Sequence, residues 1–164
     1  MATADLTVSR LKELLSYNPV DGLFTRIAPV CGRYGRIGFV CGSPDKKGHI
    51  YVTIDKQKHG AHRLAWFYTH GVWPTRQIDH INGVRADNRM ANLRDVSHSI
   101  NSQNRRKAYG LSGFLGVTKN KGKTFKAMLC VDGKNRYIGS YATPELAFEA
   151  YVFEKRKHHA GCTL

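Results

Sequence analysis

The sequence predicts an α+β protein in which helices and short β-hairpins are followed by a small module of three strands and one helix. Two stretches, residues 5–16 and 61–71, repeat apolar residues at helical spacing, and the segments around them alternate as short strands do. After residue 113, three alternating runs lead into another helical pattern. We therefore predict a first domain, a linker and a second domain at residues 1–107, 108–112 and 113–160.

The chain is strongly basic. Its 164 residues include 26 Lys and Arg against 12 Asp and Glu, a formal charge of +14 at pH 7. Such a field favours a polyanion as partner. No apolar run approaches the roughly 18 residues of a membrane span, so we expect no membrane partner. The N-terminus lacks the basic and apolar regions of a signal peptide, which predicts a cytoplasmic protein.

The four cysteines, Cys31, Cys41, Cys130 and Cys162, form no C-x-x-C pair. We interpret them as reduced, structural thiols, the usual state in a cytoplasmic protein. A zinc site formed by Cys31, Cys41 and a histidine is the alternative.

The first third of the chain is predicted to form one capped helix and several strands. Thr7 or Ser9 can cap the helix, because their hydroxyls accept hydrogen bonds from its first turn. The predicted elements are a helix at 5–16, strands at 23–26, 36–40 and 49–55, and a turn at 56–60. The basic residues in these turns either contact phosphates or are only solvent-exposed, and the sequence favours neither interpretation. They are Lys46, Lys47, Lys56 and Lys58.

A second helix is predicted over residues 61–71, with Leu64, Ala65 and Phe67 on its apolar side. His62 lies at its start. This histidine either points into a functional site or is a hydrogen-bonded histidine of the core, and we favour the core interpretation.

Residues 77–105 predict a strand, a loop, a second strand and a helix. The first strand, 77–81, ends at Asn82-Gly83, a dipeptide that readily turns the chain. A polar loop leads to a second strand at 93–96, and Ser97 is a suitable N-cap for the helix that follows.

The side chains of this stretch suit phosphodiester hydrolysis. Asp79 and Asn101 offer oxygen ligands of the kind that Mg²⁺ or Mn²⁺ prefers. His80 titrates near neutrality and can take a proton from water. Asn92 can clamp the loop through hydrogen bonds to its backbone. In a regular strand Asp79 and His80 face opposite sides, so the strand must bend for both to serve one phosphate.

This pattern resembles the ββα-metal motif of HNH endonucleases, and most closely the phage and intron-encoded group whose last His is replaced by Asn. His80 and Asn92 are 12 positions apart, and Asn92 and Asn101 are 9 apart. The resemblance implies that Asp79 and Asn101 are metal ligands, that His80 is the general base and that Asn92 is the loop clamp. Because an Asn carbonyl is a poorer zinc ligand than imidazole, we expect magnesium or manganese.

The C-terminal module is predicted to contain strands at 114–119, 124–131 and 136–141, and a helix at 144–158 capped by Thr143. It resembles the AP2 domain, a three-stranded DNA-binding sheet backed by a helix. The matching residues are Gly116, Val117, Phe125, Ala127, Leu129, Ile138, Gly139, Tyr141, Thr143, Pro144, Glu145, Ala147, Ala150 and Tyr151.

The AP2 resemblance implies a DNA-facing set on the open side of the sheet. By position this set is Thr118, Asn120, Lys126, Met128, Cys130, Asn135 and Tyr137. Further phosphate contacts are expected from Lys119, Lys121, Lys123 and Arg136, and from the basic run Arg105, Arg106 and Lys107. The plant domains carry arginines and tryptophans on this face, so this module is expected to bind more weakly.

These observations predict a metal-dependent DNA endonuclease of homing type that prefers a site on double-stranded DNA. One motif makes one cut, so a monomer is expected to nick, and a dimer is the alternative. If the gene is phage-borne, the protein acts in the host cytoplasm. Two other functions remain open, a DNA-binding regulator with an inactive nuclease motif and an RNA-binding protein. Metal-dependent cleavage separates the first from the nuclease.

Overall fold

Residues 5–30, 36–106, 108, 112–120 and 122–164 are described by a computed structural model. The chain divides into two units, residues 1–96 and 97–164. The predicted boundaries at 107 and 113 remain a prediction. Several residues singled out in the sequence lie outside the described ranges; they are Cys31, Lys107, Lys121 and linker residues 109–111.

The described part of the N-terminal unit consists of two α-helices, a short 3-10 helix at Met90–Asn92 and three small antiparallel sheets. Its core is formed by buried apolar side chains from both helices and several of the strands, among them Leu11, Leu15, Phe24 and Leu64. The elements are α1 (Val8–Leu14), β1 (Leu15–Tyr17), β2 (Phe24–Arg26), β3 (Val40–Cys41), β4 (Ser43–Pro44), β5 (Ile50–Ile54), β6 (Gln57–Gly60), α2 (Ala61–His70), β7 (Gln77–His80) and β8 (Leu93–Val96). The strand orders are β1-β2-β3, β4-β5-β6 and β7-β8.

The first helix is shorter than predicted and ends before residue 15. Thr7 is its N-cap and accepts a hydrogen bond from the backbone N–H of Arg10, as one of the two predicted caps. Leu15 and Tyr17 are buried on either side of exposed Ser16, and all three pair with β2. The prediction of helix through residue 16 was wrong because alternating burial against β2 overrides the helical spacing of the leucines.

The predicted turn at residues 56–60 was also wrong, because residues 57–60 form β6. The turn is confined to Asp55 and Lys56, whose φ angles of 45° and 67° are both positive. A two-residue hairpin of this kind requires positive φ at both central positions. Neither residue is Gly or Asn, so the usual sequence signal for such a turn was missing. The predicted strand at 36–40 is reduced to β3.

The C-terminal unit contains a short helix and a three-stranded antiparallel sheet covered by a longer helix. Ala127 and Leu129 of the central strand pack with Ala147 and Tyr151 of the covering helix. The elements are α3 (His98–Gln103), β9 (Val117–Lys119), β10 (Phe125–Val131), β11 (Lys134–Tyr141) and α4 (Pro144–His158). The sheet order is β9-β10-β11, and the predicted three strands and helix are present.

Both helices of this unit begin where the sequence predicts. Ser97 accepts a hydrogen bond from the N–H of Ile100, and Thr143 accepts one from the N–H of Leu146. Hydroxyl caps of this kind satisfy N–H groups that have no partner inside the helix. Within the described ranges, no helix combines the length and apolarity needed to cross a membrane.

Candidate active site

The β7–β8 hairpin places Asp79 and His80 in the interior of the N-terminal unit. The register pairs Asp79 with Arg94 and His80 with Leu93. Asp79 is 6% exposed and His80 is 5% exposed. Polar side chains are seldom this deeply buried in a small domain unless they are paired or functional.

The carboxylate of Asp79 binds the guanidinium of Arg94 on the neighbouring strand. Arg94 donates from Nε and Nη2 to Asp79 Oδ2, at 2.9 and 2.7 Å. Charge-assisted pairs of this kind are stronger than neutral hydrogen bonds. The two hydrogen bonds fix the position of the carboxylate beside β8.

Asn92 fastens the two ends of the loop between the strands. Its Oδ1 accepts a hydrogen bond from the N–H of Asn82 at 2.9 Å, and its Nδ2 donates to the carbonyl of Asp87 at 2.8 Å. Asn82 in turn donates from Nδ2 to the Asp87 carboxylate. Hydrogen bonds from Arg89 are the main cause that lowers the pKa of Asp87 to about 2, so this acceptor stays ionised. The loop is thereby held in one conformation beside His80.

The ring of His80 lies against Asn88 in this loop. His80 Nε2 is 3.3 Å from Asn88 Oδ1. An amide oxygen only accepts, so Nε2 carries the proton in the tautomer that makes this hydrogen bond. Burial lowers the pKa of His80, and the neighbouring His49 lowers it further. His80 is therefore neutral at pH 7, as a general base must be.

Asn88 is itself supported by the first hairpin of the chain. It is 3% exposed, and its carbonyl accepts a hydrogen bond of 2.7 Å from the Tyr17 hydroxyl. Gly22 lies against the same segment with φ +76°, and a Cβ there would be 2.4 Å from the Arg89 nitrogen. Only glycine allows so close a backbone approach at a positive φ. The N-terminal turn thus sets the position of the partner of His80.

Two further histidines surround His80. The rings of His62 and His80 are 5.4 Å apart, those of His49 and His62 are 5.6 Å apart, and those of His49 and His80 are 6.1 Å apart. His62 Nδ1 is buried without a hydrogen-bond partner among the described residues. We favoured His62 as a hydrogen-bonded core histidine, but its Nδ1 makes no such bond among the described residues. Its ring instead lies next to the ring of His80, the candidate base.

This histidine cluster makes stability sensitive to acid. Burial lowers the pKa of His62 to about 4, from an ordinary value of 6.5. Because the unfolded chain binds this proton first, stability is complete above pH 6.5 and decreases as the pH falls toward 4. Because His62 is partly exposed, we expect its titration alone to lower the free energy of unfolding by about 1 kcal/mol between pH 7 and pH 5. Urea unfolding in EDTA at both pH values measures this cost.

The matched variant for the acid effect is His62→Phe, which keeps an aromatic ring and removes the titration. Its unfolding free energy should change less between pH 7 and pH 5 than that of the wild type. An equal change in both proteins would contradict the role of His62, since His49 and His80 would then account for all of it.

Asn101, the second predicted metal ligand, lies half-buried on α3 in the C-terminal unit. Within the described ranges, no group of three or more His, Cys, Asp and Glu side chains is arranged to hold a metal ion. Asp79 and Asn101 lie in different units of the chain, and their joint role as metal ligands stays a prediction. A carboxylate oxygen such as those of Asp79 suits Mg²⁺, which keeps several waters and shares phosphate oxygens, better than it suits a soft metal.

Most of the predicted DNA contacts are exposed in the C-terminal unit. Arg106 donates to the carbonyl of Thr163, Arg136 lies 3.3 Å from His158 Nε2, and Tyr137 donates to Ser140 Oγ. The exposed residues are Arg105, Arg106, Thr118, Lys119, Asn120, Lys123, Cys130, Asn135, Arg136 and Tyr137, while Lys126 and Met128 are half-buried. Lys107 and Lys121 lie outside the described ranges. The DNA-binding roles of this set stay predictions.

Residues 59–103 match the family model described as HNH endonuclease. The matched segment includes α2, both strands of the β7–β8 hairpin and α3. This match supports a nuclease of the HNH type, a class whose substrate is DNA and whose members generally use divalent metal ions. No curated protein and no solved structure matches the chain significantly.

Three neighbours of the site were missed in the sequence: Arg94, Asn88 and His49. Arg94 had a usable signal, because the register of a hairpin closed by Asn92 places it opposite Asp79. Asn88 and His49 had none, since their positions depend on how separate hairpins pack.

Proposed function

We propose that this protein is a metal-dependent DNA endonuclease of the HNH type, which nicks one strand at a preferred site as homing-type enzymes do. One observation carries the proposal. A hairpin inside the segment that matches the family model buries an aspartate beside a neutral histidine, with the loop between its strands clamped by an asparagine. We further propose that it acts as a monomer in the cytoplasm.

His80 is the proposed general base. Its lowered pKa keeps it neutral at pH 7, and its contact with Asn88 orients the ring. In the proposed reaction the imidazole of His80 takes a proton from the attacking water, and the new phosphorus–oxygen bond forms as the bond to the 3′ oxygen breaks. The leaving 3′ oxygen takes a proton from solvent. The products carry 5′-phosphate and 3′-hydroxyl ends.

Asp79 and Asn101 are the proposed ligands of Mg²⁺ or Mn²⁺. When bound, such an ion supplies positive charge that stabilises the scissile phosphate and the leaving oxygen. The fit rests on the donor set, two hard oxygens, and on the carboxylate of Asp79, which binds the guanidinium of Arg94 at 2.7 Å. Arg94 orients that carboxylate through two hydrogen bonds.

The basic surface is proposed to supply most of the affinity for DNA. A formal charge of +14 favours phosphate contacts that depend on salt and little on sequence. We propose that the C-terminal sheet and helix act as an AP2-like targeting module. The exposed positions on β9 and β11 support this role, because they are available to a duplex.

The test uses supercoiled plasmid and long phage DNA, incubated with the protein in Mg²⁺, Mn²⁺ or EDTA. We expect cleavage with either metal and none in EDTA, with nicked circles forming before linear DNA. Linear product without a nicked intermediate would exclude a monomeric nickase. Binding without cleavage on every substrate, including a selected target, would favour the alternative of a DNA-binding regulator.

A further inference from the structure

The C-terminal unit contains a cavity of about 490 Å³ that belongs to no part of the proposed catalytic site. Residues of α3, β10 and α4 line it, together with the turn between β10 and β11. Three residues of the predicted DNA-facing set, Met128, Cys130 and Asn135, are among them. The cavity therefore opens on a surface that the sequence already associates with DNA.

A buried lysine lines this cavity. Lys155 of α4 is only 2% exposed, and lysine is almost never buried this completely unless it is paired. Its Nζ donates to the carbonyl of Arg105 at 3.2 Å and lies 5.6 Å from the centre of the Tyr151 ring. No carboxylate forms an ion pair with it among the described residues. An ammonium has three donors, so the two contacts leave part of its hydrogen-bonding capacity unused.

The other polar groups of the cavity suit an anion. Arg105 adds positive charge, and Ser99 and Ser102 add hydroxyl donors. Asp132 is the one carboxylate in the lining, and it makes no ion pair with Lys155. Burial lowers the pKa of Lys155, which is the cost that a bound anion would offset.

We propose that this cavity binds a phosphate group, with Lys155 as its central donor, and that the phosphate belongs to the backbone of the DNA substrate. The assignment of this phosphate to DNA rests on the proposed function, whereas the phosphate site itself does not. A lysine that only ties α4 to the carbonyl of Arg105 would instead be structural. The two roles predict opposite effects of removing the charge.

The first experiment compares the wild type with Lys155→Met, which has similar length and no charge. Melting midpoints are measured in sodium phosphate and in sodium chloride of equal ionic strength. We expect phosphate to raise the wild-type midpoint by about 2–4 °C and to leave the variant unchanged. In chloride the variant should be at least as stable as the wild type, because it no longer buries an unpaired charge. A clear loss of stability would assign Lys155 a structural role and overturn the proposal.

The second experiment identifies the source of the phosphate. Binding of a labelled duplex is measured in EDTA between 50 and 300 mM NaCl. We expect Lys155→Met to bind the duplex about tenfold more weakly. The slope of log K against log salt concentration should become shallower by about 0.9, which corresponds to the loss of one phosphate contact. Lys157→Met is the matched control, because Lys157 lies on the same helix, is exposed and pairs with Glu154 at 2.9 Å. Lys157→Met should still melt at a higher temperature in phosphate, and the salt dependence of its DNA binding should be nearly that of the wild type.

Each outcome of the pair is decisive. If the wild type responds to phosphate but the variant binds DNA normally, the cavity takes a free phosphate and the DNA source is wrong. If the wild type does not bind DNA at all, the proposed function fails while the phosphate effect still tests the site. Normal DNA binding by the variant and no phosphate effect in the wild type would overturn both parts.

Discussion

We expect His80→Ala to lower the rate of DNA cleavage by at least about a hundredfold, the lower end of what a positioned general base contributes. The reason is specific to the structure: the imidazole is neutral, 5% exposed and oriented by Asn88. Alanine leaves the attacking water without a base. Affinity for DNA in EDTA should stay within about twofold, because binding is attributed to the basic surface and not to His80.

Single-turnover cleavage of supercoiled plasmid in Mg²⁺ measures the effect of His80→Ala. The matched control is His70→Ala, because His70 is exposed at the end of α2 and outside the histidine cluster. Urea unfolding of each variant accounts for any loss of folded protein, since His80 is a buried side chain. Cleavage by folded His80→Ala at the wild-type rate would show that another group is the base.

Local chemistry made several elements predictable from the sequence. The bounds of β8 and the caps of α3 and α4 follow from patterns within a few residues, such as a hydroxyl directly before a helical run. The turn at Asn82-Gly83 follows from the same kind of local preference, and Gly83 has φ 74°. Features of this kind need no knowledge of the rest of the fold.

Packing between distant segments could not be predicted. β1 is a strand because Leu15 and Tyr17 meet β2, although their spacing alone suits a helix. The histidine cluster needs the residue before β5, α2 and β7 to converge, since its members lie up to 31 positions apart in the chain. Lys155 looks like an exposed residue of an amphipathic helix until the structure places it in the interior. In each case the deciding contact is absent from the local sequence.

The same distinction applies to the candidate site. Asp79, His80 and Asn92 can be found by type and spacing, because the motif is continuous in the chain. Arg94, which holds Asp79, follows only from the register of the hairpin, and Asn88, which contacts His80, carries no signal and is found only through its hydrogen bond. Sequence therefore predicts the groups assigned to chemistry better than the groups that orient them.

The second large effect is expected for Asp79→Asn, which should lower cleavage about a thousandfold at a fixed Mg²⁺ concentration. Loss of a carboxylate ligand removes several kcal/mol of charge stabilisation from the reaction. The variant should also lose about 1–2 kcal/mol of stability, because Arg94 keeps its charge and loses the carboxylate that it contacts at 2.7 Å. Cleavage over a range of Mg²⁺ concentrations and urea unfolding in EDTA measure the two effects separately.

A double-mutant cycle separates the catalytic and structural roles of Asp79. Arg94→Met removes the other half of the pair, so the double variant has no uncompensated charge and should regain much of the stability lost by Asp79→Asn. Cleavage should not return, because the charged carboxylate ligand is still missing. If restoring stability also restored cleavage, Asp79 would act only through folding, and the proposed metal site would have to be sought elsewhere. If Asp79→Asn cleaved at the wild-type rate, the carboxylate would have no part in the reaction.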